Sequence, residues 1–284
     1  MQGKTVVITG ATSGIGEVAA LELAGMGAQI IAVARSKERG EATLAKLAEK
    51  APGLGHKMHY GDLAQLADMK RVAAEIAASE PRIDVLVNNA GAMFAKRVVT
   101  RDGFEETFAL DHLSYFVMTA GLRTQLLAAG QARIVNTSSD AHRGARLDLD
   151  DLQTEKNYTS IQAYARAKLE NILFTRELAR RLKGTGVTAN SLHPGVVATR
   201  FGHESGGVVS PLLKFVQRFA ISPEKGAETI VYLASSPAVA GVSGEYFYKR
   251  KPVQPTRAAQ DDRLAAALWQ KSVALTGVDW PLRT

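Results

Sequence analysis

TVVITGATSGIGEVAALELAGMG, residues 5–27, runs an apolar β-branched segment into a glycine loop and that loop into an alanine- and leucine-rich segment. Apolar residues without polar alternation suit a strand buried on both faces. Gly10, Gly14 and Gly16 then fall between that strand and a helix. Glycine permits a tight turn and lets backbone N–H groups approach a pyrophosphate, whose charge the helix N-terminus stabilises. A glycine triplet alone is as well explained by a turn; the strand-loop-helix setting points to a dinucleotide cofactor.

The same alternation continues along the chain. Short apolar runs at 29–34, 83–89, 132–139 and 186–194 are separated by helical patterns at about 37–50, 65–79, 102–129 and 160–183. This β-α rhythm predicts an α/β fold, a doubly wound Rossmann-type sheet of about seven parallel strands with helices on both faces. Neither a short repeat nor a low-complexity linker interrupts it, so residues 1–284 read as one domain. After His193-Pro194-Gly195 the pattern loosens, and residues 201–222 are expected to form a substrate flap. Residues 251–284 form a C-terminal extension whose helical segment, DDRLAAALWQKSVALTG, is expected to pack on the domain.

With 46% hydrophobic residues in a chain of 284, a substantial core is available. The absence of cysteine excludes disulfides and thiolate zinc sites and suits an intracellular enzyme. No apolar segment near the start is long enough for a signal core or a membrane span, so a cytoplasmic location is expected. The net charge of +7 raises the question of nucleic acid, but Lys and Arg are scattered among acids, and no nucleic-acid partner is expected. The histidines form no ligand cluster, so no metal is expected either.

The second apolar run, in GAQIIAVARSKERG, says which dinucleotide. An acid at the end of that strand would hold a ribose 2′-hydroxyl; here Ala34 stands in its place and Arg35 follows. An uncharged residue with a cation suits a 2′-phosphate, hence NADP(H); the alternative is a solvated surface arginine. Asp62, after the third strand, either accepts from an adenine amino group or caps the next helix. In QAYARAKLE, residues 162–170, Tyr164 and Lys168 are four apart and project from one helical face.

Together TGATSGIG (9–16), Asp62-Leu63, NNAG (88–91), NTSS (136–139), YARAK (164–168) and HPGVVAT (193–199) occur in an order that resembles the short-chain dehydrogenases/reductases, over nearly the whole chain. RDGFEETFALDHLSYFVMT, RIVNTSSDAH and SGEYF are most similar to the retinol-dehydrogenase-like branch. The resemblance implies an oxidoreductase that interconverts a small-molecule carbonyl and an alcohol. Tyr164 would be the general acid or base, Lys168 would lower its pKa and hold the nicotinamide ribose, and Ser139 would hydrogen-bond the substrate oxygen. Ser138 is expected to point the other way. Cofactor contacts are implied for Gly10, Thr12, Ser13, Gly14, Ile15 and Gly16, for Asp62 and Leu63, for Asn89, Ala90 and Gly91 with neighbouring Asn88 allowing close approach, for Tyr164 and Lys168, and for Pro194, Gly195, Val197 and Thr199. Helices near 102–129 and 160–183 would form a homodimer or homotetramer contact, unless the C-terminal extension covers another surface.

One position departs from the family pattern. Many members place an asparagine from the fourth helix beside Ser, Tyr and Lys, and the matching residue is Asp111. Three consequences stay open: the water-mediated proton relay to the lysine that such an asparagine supports survives through the main-chain carbonyl, the carboxylate pairs with Lys168 and shifts the pH optimum upward, or activity is lost. The last leaves a rival reading, a nucleotide-binding sensor without turnover. His112 and Tyr115 are expected to be packing or subunit-contact residues. Apolar residues in the flap, and Leu147, Leu149 and Tyr158 in the 140–163 loop, favour a medium-sized hydrophobic substrate; the flap's SPLLKFVQRF segment is otherwise a core-packing or membrane-surface helix.

Overall fold

The computed structural model describes residues 1–195 and 221–280. Among these, strands β1 (Thr5–Thr9), β2 (Gln29–Ala34), β3 (Lys57–Tyr60), β4 (Val85–Asn88), β5 (Arg133–Thr137), β6 (Thr188–Leu192), β7 (Tyr246–Tyr248) and β8 (Lys251–Pro252) form one sheet in the order β3-β2-β1-β4-β5-β6-β7-β8. Strands β1 to β7 pair in parallel, as their unalternated apolar runs require. The added strand β8 is antiparallel, and it was not foreseen. Lys249 and Arg250 both adopt left-handed backbone (φ 48° and 63°), the primed-turn geometry that joins two-residue hairpins, without the usual Asn-Gly signal.

Helices cover both faces. Helices α1 (Gly14–Gly25), α2 (Lys37–Lys50) and α8 (Pro223–Ser235) pack on the side of Val6, Ile8, Ile30 and Phe247. On the other side α3 (Leu66–Ser79), α5 (Ser114–Gly121), α7 (Ser160–Arg181) and α9 (Asp262–Thr276) enclose Val7, Ile31, Leu86 and Ile134. The strand order reverses between β1 and β4, which places a ligand crevice beyond the carboxyl ends of those strands.

The helix expected over 102–129 is broken. Glu105 ends an isolated bridge with Val99 and caps the short α4 (Glu106–Phe108), its carboxylate accepting from the N–H groups of Thr107 and Phe108 at 2.9 and 2.8 Å. A π-helical turn, Ala109–Leu113, follows before α5, and a further break precedes α6 (Arg123–Ala128). Wide turns of this kind free carbonyls from the regular ladder and gather at functional sites.

Helix α9 packs on α5 and α7. Trp269 of α9 lies edge-on to Phe116 at 4.9 Å and stacks on Phe174 at 5.7 Å, with the Arg181 guanidinium 4.1 Å from its ring centre. Phe116 and Phe174, on the two helices expected at a subunit contact, are thus buried within the chain. The expected flap lies outside the described residues as far as residue 220.

Glu170 of α7 is fully buried, and among the described residues neither of its carboxylate oxygens has a partner. Burial, reinforced by Glu105 and Asp111 against the pull of Arg166, raises its pKa well above the ordinary carboxylate value and favours the protonated carboxyl. The unfolded chain therefore releases this proton at lower pH than the folded one. Its stability contribution is complete below the ordinary carboxylate pKa and is lost as pH rises toward the raised value. Glu170→Met removes an unsatisfied buried polar group worth about 1–3 kcal/mol. Thermal unfolding between pH 4 and 8 is expected to show a higher Tm and a weaker loss of stability with rising pH than the parent.

Candidate active site

At the reversal point two loops are joined by hydrogen bonds. Thr9 Oγ1, at the end of β1, accepts from the N–H groups of Asn89 and Ala90 at 3.0 and 3.1 Å, and Asn89 Nδ2 donates to the carbonyls of Thr9 and Gly10 at 3.2 and 3.3 Å. Gly10 has φ +69°, and a Cβ there would lie 2.8 Å from Ala90 Cα. The loops approach because nothing stands between them. Ser13 occupies the N-cap of α1, yet its side chain makes no capping bond among the described residues, so the N–H groups of Gly14, Ile15 and Gly16 keep their donors for a ligand. Thr12 beside them is partly exposed. This donor set, without side chains in the way, fits a pyrophosphate.

Asn88 takes a different place from its expected one. It is fully buried between strands, its Nδ2 donating to Thr119 Oγ1 at 3.0 Å and Asn136 Oδ1 at 2.9 Å. Asn89 is the residue that reaches the glycine loop. The Asp62 carboxylate accepts from Ala64 N–H at 3.1 Å, capping a turn ahead of α3, whose own N-cap is Gln65. The Leu63 side chain is buried in the core, which leaves its backbone for a ligand. Ala34 closes β2 and Arg35 stands exposed after it, at the start of α2, where Ser36 Oγ accepts from Arg39 N–H at 3.3 Å.

Across the crevice α7 presents a stripe. Tyr164, Lys168, Asn171 and Thr175 recur at helical spacing and turn toward β5 and the π-helical turn. Asn136 Nδ2 donates to Thr175 Oγ1 at 2.9 Å, and Asn171 Nδ2 donates to the carbonyls of Asp111 at 2.8 Å and Thr137 at 3.2 Å. Ser138 is buried against α7, its Oγ donating to the Lys168 carbonyl at 2.7 Å, on the side that Asn136 also faces. These supporting residues escaped the sequence reading. A polar Asn within the apolar run ARIVNTSS, and Asn171 three residues after Lys168, were the available signals.

The centre of the arrangement is the Lys168 ammonium, 2.8 Å from Asp111 Oδ2 with both side chains shielded from water. Asp111 Oδ1 accepts from Ala92 N–H at 2.8 Å, and Gly91 closes the pair from above; a Cβ there would lie 2.9 Å from Asp111 Oδ2 and 3.1 Å from Lys168 Nζ. Burial opposes the Lys168 charge, but the charge of Asp111, with Tyr115 and Tyr164, outweighs it and raises the pKa. The same ammonium lies 5.1 Å from the Tyr164 ring centre and 5.8 Å from that of Tyr115.

The phenol of Tyr164 sits above its ordinary pKa, contrary to the expected lowering. Burial is the largest cause and Asp111 adds to it, while Lys168 and a hydrogen bond with the Ser139 hydroxyl act the other way. Asp111 thus absorbs part of the field that Lys168 alone would exert. His112 and Tyr115 are packing residues here: His112 Nε2 meets Ser272 Oγ of α9 at 3.1 Å and its ring stacks on Phe108, and the Tyr115 hydroxyl donates to the Thr137 carbonyl at 3.3 Å. Pro194 and Gly195 follow β6, with Gly195 at φ +94° and its N–H donating to His193 Nδ1 at 3.2 Å. Val197 and Thr199 lie outside the described residues.

A phenol, a hydroxyl and an ammonium therefore border a crevice whose floor fits a dinucleotide. The short chain dehydrogenase family model matches residues 4–207. Human retinol dehydrogenase 14 is 42% identical over 98% of this chain and 88% of its own length, and human retinol dehydrogenase 13 is 40% identical over 98% and 86%. A crystal structure of an uncharacterised protein from Mycobacterium paratuberculosis shares the fold with a TM-score of 0.79 and 34% identity, covering 99% of this chain and 96% of that one. A protein from Beutenbergia cavernae described as an NAD(P)-dependent gluconate 5-dehydrogenase, solved with bound NADP, follows at TM-score 0.69 and 29% identity over 88% and 96%. The chain belongs to the short-chain dehydrogenases/reductases, in their retinol-dehydrogenase-like branch, and is an oxidoreductase of the carbonyl/alcohol class that uses a nicotinamide dinucleotide.

Proposed function

We propose that this protein is an NADP(H)-dependent reductase and dehydrogenase of medium-sized hydrophobic carbonyls and alcohols, with Tyr164 as the proton-transfer group. The observation that carries the reading is the meeting of Tyr164, Ser139 and Lys168 beside the crevice, with the ammonium fixed by Asp111. The nicotinamide, when bound, supplies or takes the hydride. Ser139 orients the substrate oxygen and Tyr164 delivers its phenolic proton to it, or removes the alcohol proton in reverse. Lys168 favours the phenolate form, and its ammonium holds the ribose hydroxyls. Residues 10–16, Asn89, Ala90 and Gly91 hold the dinucleotide.

The preference for NADP(H) rests on Ala34 and Arg35. The hydrophobic substrate class is supported by the retinol dehydrogenases among the relatives and by the apolar residues of segment 201–222. Leu147 and Leu149 give it no support, since they pack against the core, and the Tyr158 hydroxyl is committed to the Phe94 carbonyl at 2.9 Å. Among the described residues, no helix is long and apolar enough to cross a membrane.

A screen of NADPH oxidation across aldehydes and ketones tests the whole reading. Tyr164→Phe is expected to lower kcat by roughly 10²–10⁴-fold with cofactor affinity retained; persisting turnover would refute the mechanism. Arg35→Ala is expected to weaken NADPH by roughly 10–100-fold, the worth of one charge-assisted contact, with NADH unaffected. An equal change for both cofactors would remove the 2′-phosphate assignment. Asp111→Asn takes away the anion that opposes Lys168, so the Tyr164 pKa falls. The alkaline limb of the reduction profile is expected to move toward acid, and identical pH-rate profiles would show that the carboxylate does not act on Tyr164.

A further inference from the structure

Ser139 is followed by a short 3-10 turn, Asp140–Gly144, which its own Oγ caps by accepting from Ala141 N–H at 3.2 Å. The third residue of that turn, His142, is fully buried and lies edge-on to Tyr246, ring centres 5.1 Å apart. Both of its ring nitrogens are engaged. Nδ1 is 2.7 Å from the Ser139 carbonyl oxygen, and Nε2 is 3.3 Å from the backbone nitrogen of Thr256. A carbonyl can only accept and an amide N–H can only donate. The tautomer is therefore fixed: Nδ1–H donates to Ser139, and Nε2 accepts from Thr256.

Thr256 belongs to the first part of the C-terminal extension, and that part is attached to the same turn at a second point, where Arg143 donates to the Gln254 carbonyl at 3.2 Å, and to β7, where Val253 N–H donates to the Tyr246 carbonyl at 2.8 Å. The imidazole is thus a strut with the extension at one end and the serine peptide at the other. Burial pushes its pKa down, which favours the neutral ring that both contacts need.

We propose that His142 is a positioning residue for Ser139, orienting the serine through its carbonyl. The inference rests on the reading of Ser139 as the group that orients the substrate oxygen. A small rotation of the Ser139 peptide swings Oγ away from Tyr164, and misplacement on the order of 1 Å at a reacting centre costs roughly 10²-fold in rate.

Two replacements separate the ends of the strut. His142→Asn sets an amide nitrogen where Nδ1 stands and loses the reach to Thr256; His142→Gln places its amide near Nε2 and gives up the Ser139 contact. With NADPH and the best carbonyl from the screen, kcat is expected to fall roughly 10–100-fold in His142→Gln and His142→Ala but less than about 3-fold in His142→Asn, with KM nearly constant. Equal losses in the Asn and Gln variants, or parent-like kcat in Gln and Ala, would overturn the proposal. Nitrogen NMR of the parent protein gives a readout independent of variant folding: a neutral His142 protonated on Nδ1 is expected, and an Nε2–H tautomer or an imidazolium at neutral pH overturns it. Ser139→Ala is measured alongside. Full activity in that variant removes the role assigned to Ser139, whereas its loss together with alike His142 variants defeats only the inference about His142.

Discussion

A lysine ammonium and an aspartate carboxylate, 2.8 Å apart and shut off from water, tie together the segments that make the site. Charges so deeply buried are tolerated only when paired and hydrogen-bonded, so the surroundings must deliver every remaining partner. Ala92 N–H supplies one, and Gly91 lets the loop after β4 pass close enough to do it. Asn171 takes up the Asp111 carbonyl that the π-helical turn releases. Removing any one of these groups leaves a charge or a dipole stranded beneath Tyr164.

This pair also sets the electrostatic character of the site. Burial first and Asp111 after it hold the Tyr164 phenol above its ordinary pKa, against the pull of Lys168 5.1 Å from its ring. Further out, the buried amides of Asn88, Asn136 and Asn171 connect β4, β5 and α7, so the helix carrying Tyr164 is registered against the strands by directional bonds as well as by apolar packing.

Much of the architecture was legible because its signals are local. The β-branched runs gave β1, β2, β4, β5 and β6 within a few residues, and the glycines after β1 marked the turn that opens the crevice. Strand β8 escaped because its hairpin uses Lys249 and Arg250 at positive φ, residues that do not announce such a turn. The interruption at Ala109–Leu113 escaped because a π-helical turn has no composition of its own.

By itself the sequence determined the doubly wound sheet, the family, and the pairing of Tyr164 with Lys168 on one helical face, since each follows from residue type at short spacing. It also flagged Asp111 as a departure, but left three consequences open. Only the tertiary structure decided among the geometries. It brought Asp111 onto Lys168 across residues far apart in the chain, and it made burial outweigh the lysine field at Tyr164. It likewise joined His142 to Thr256. Charge strength and hydrogen-bond direction depend on distance and on exclusion of water, and both are fixed only when the helices close on the sheet.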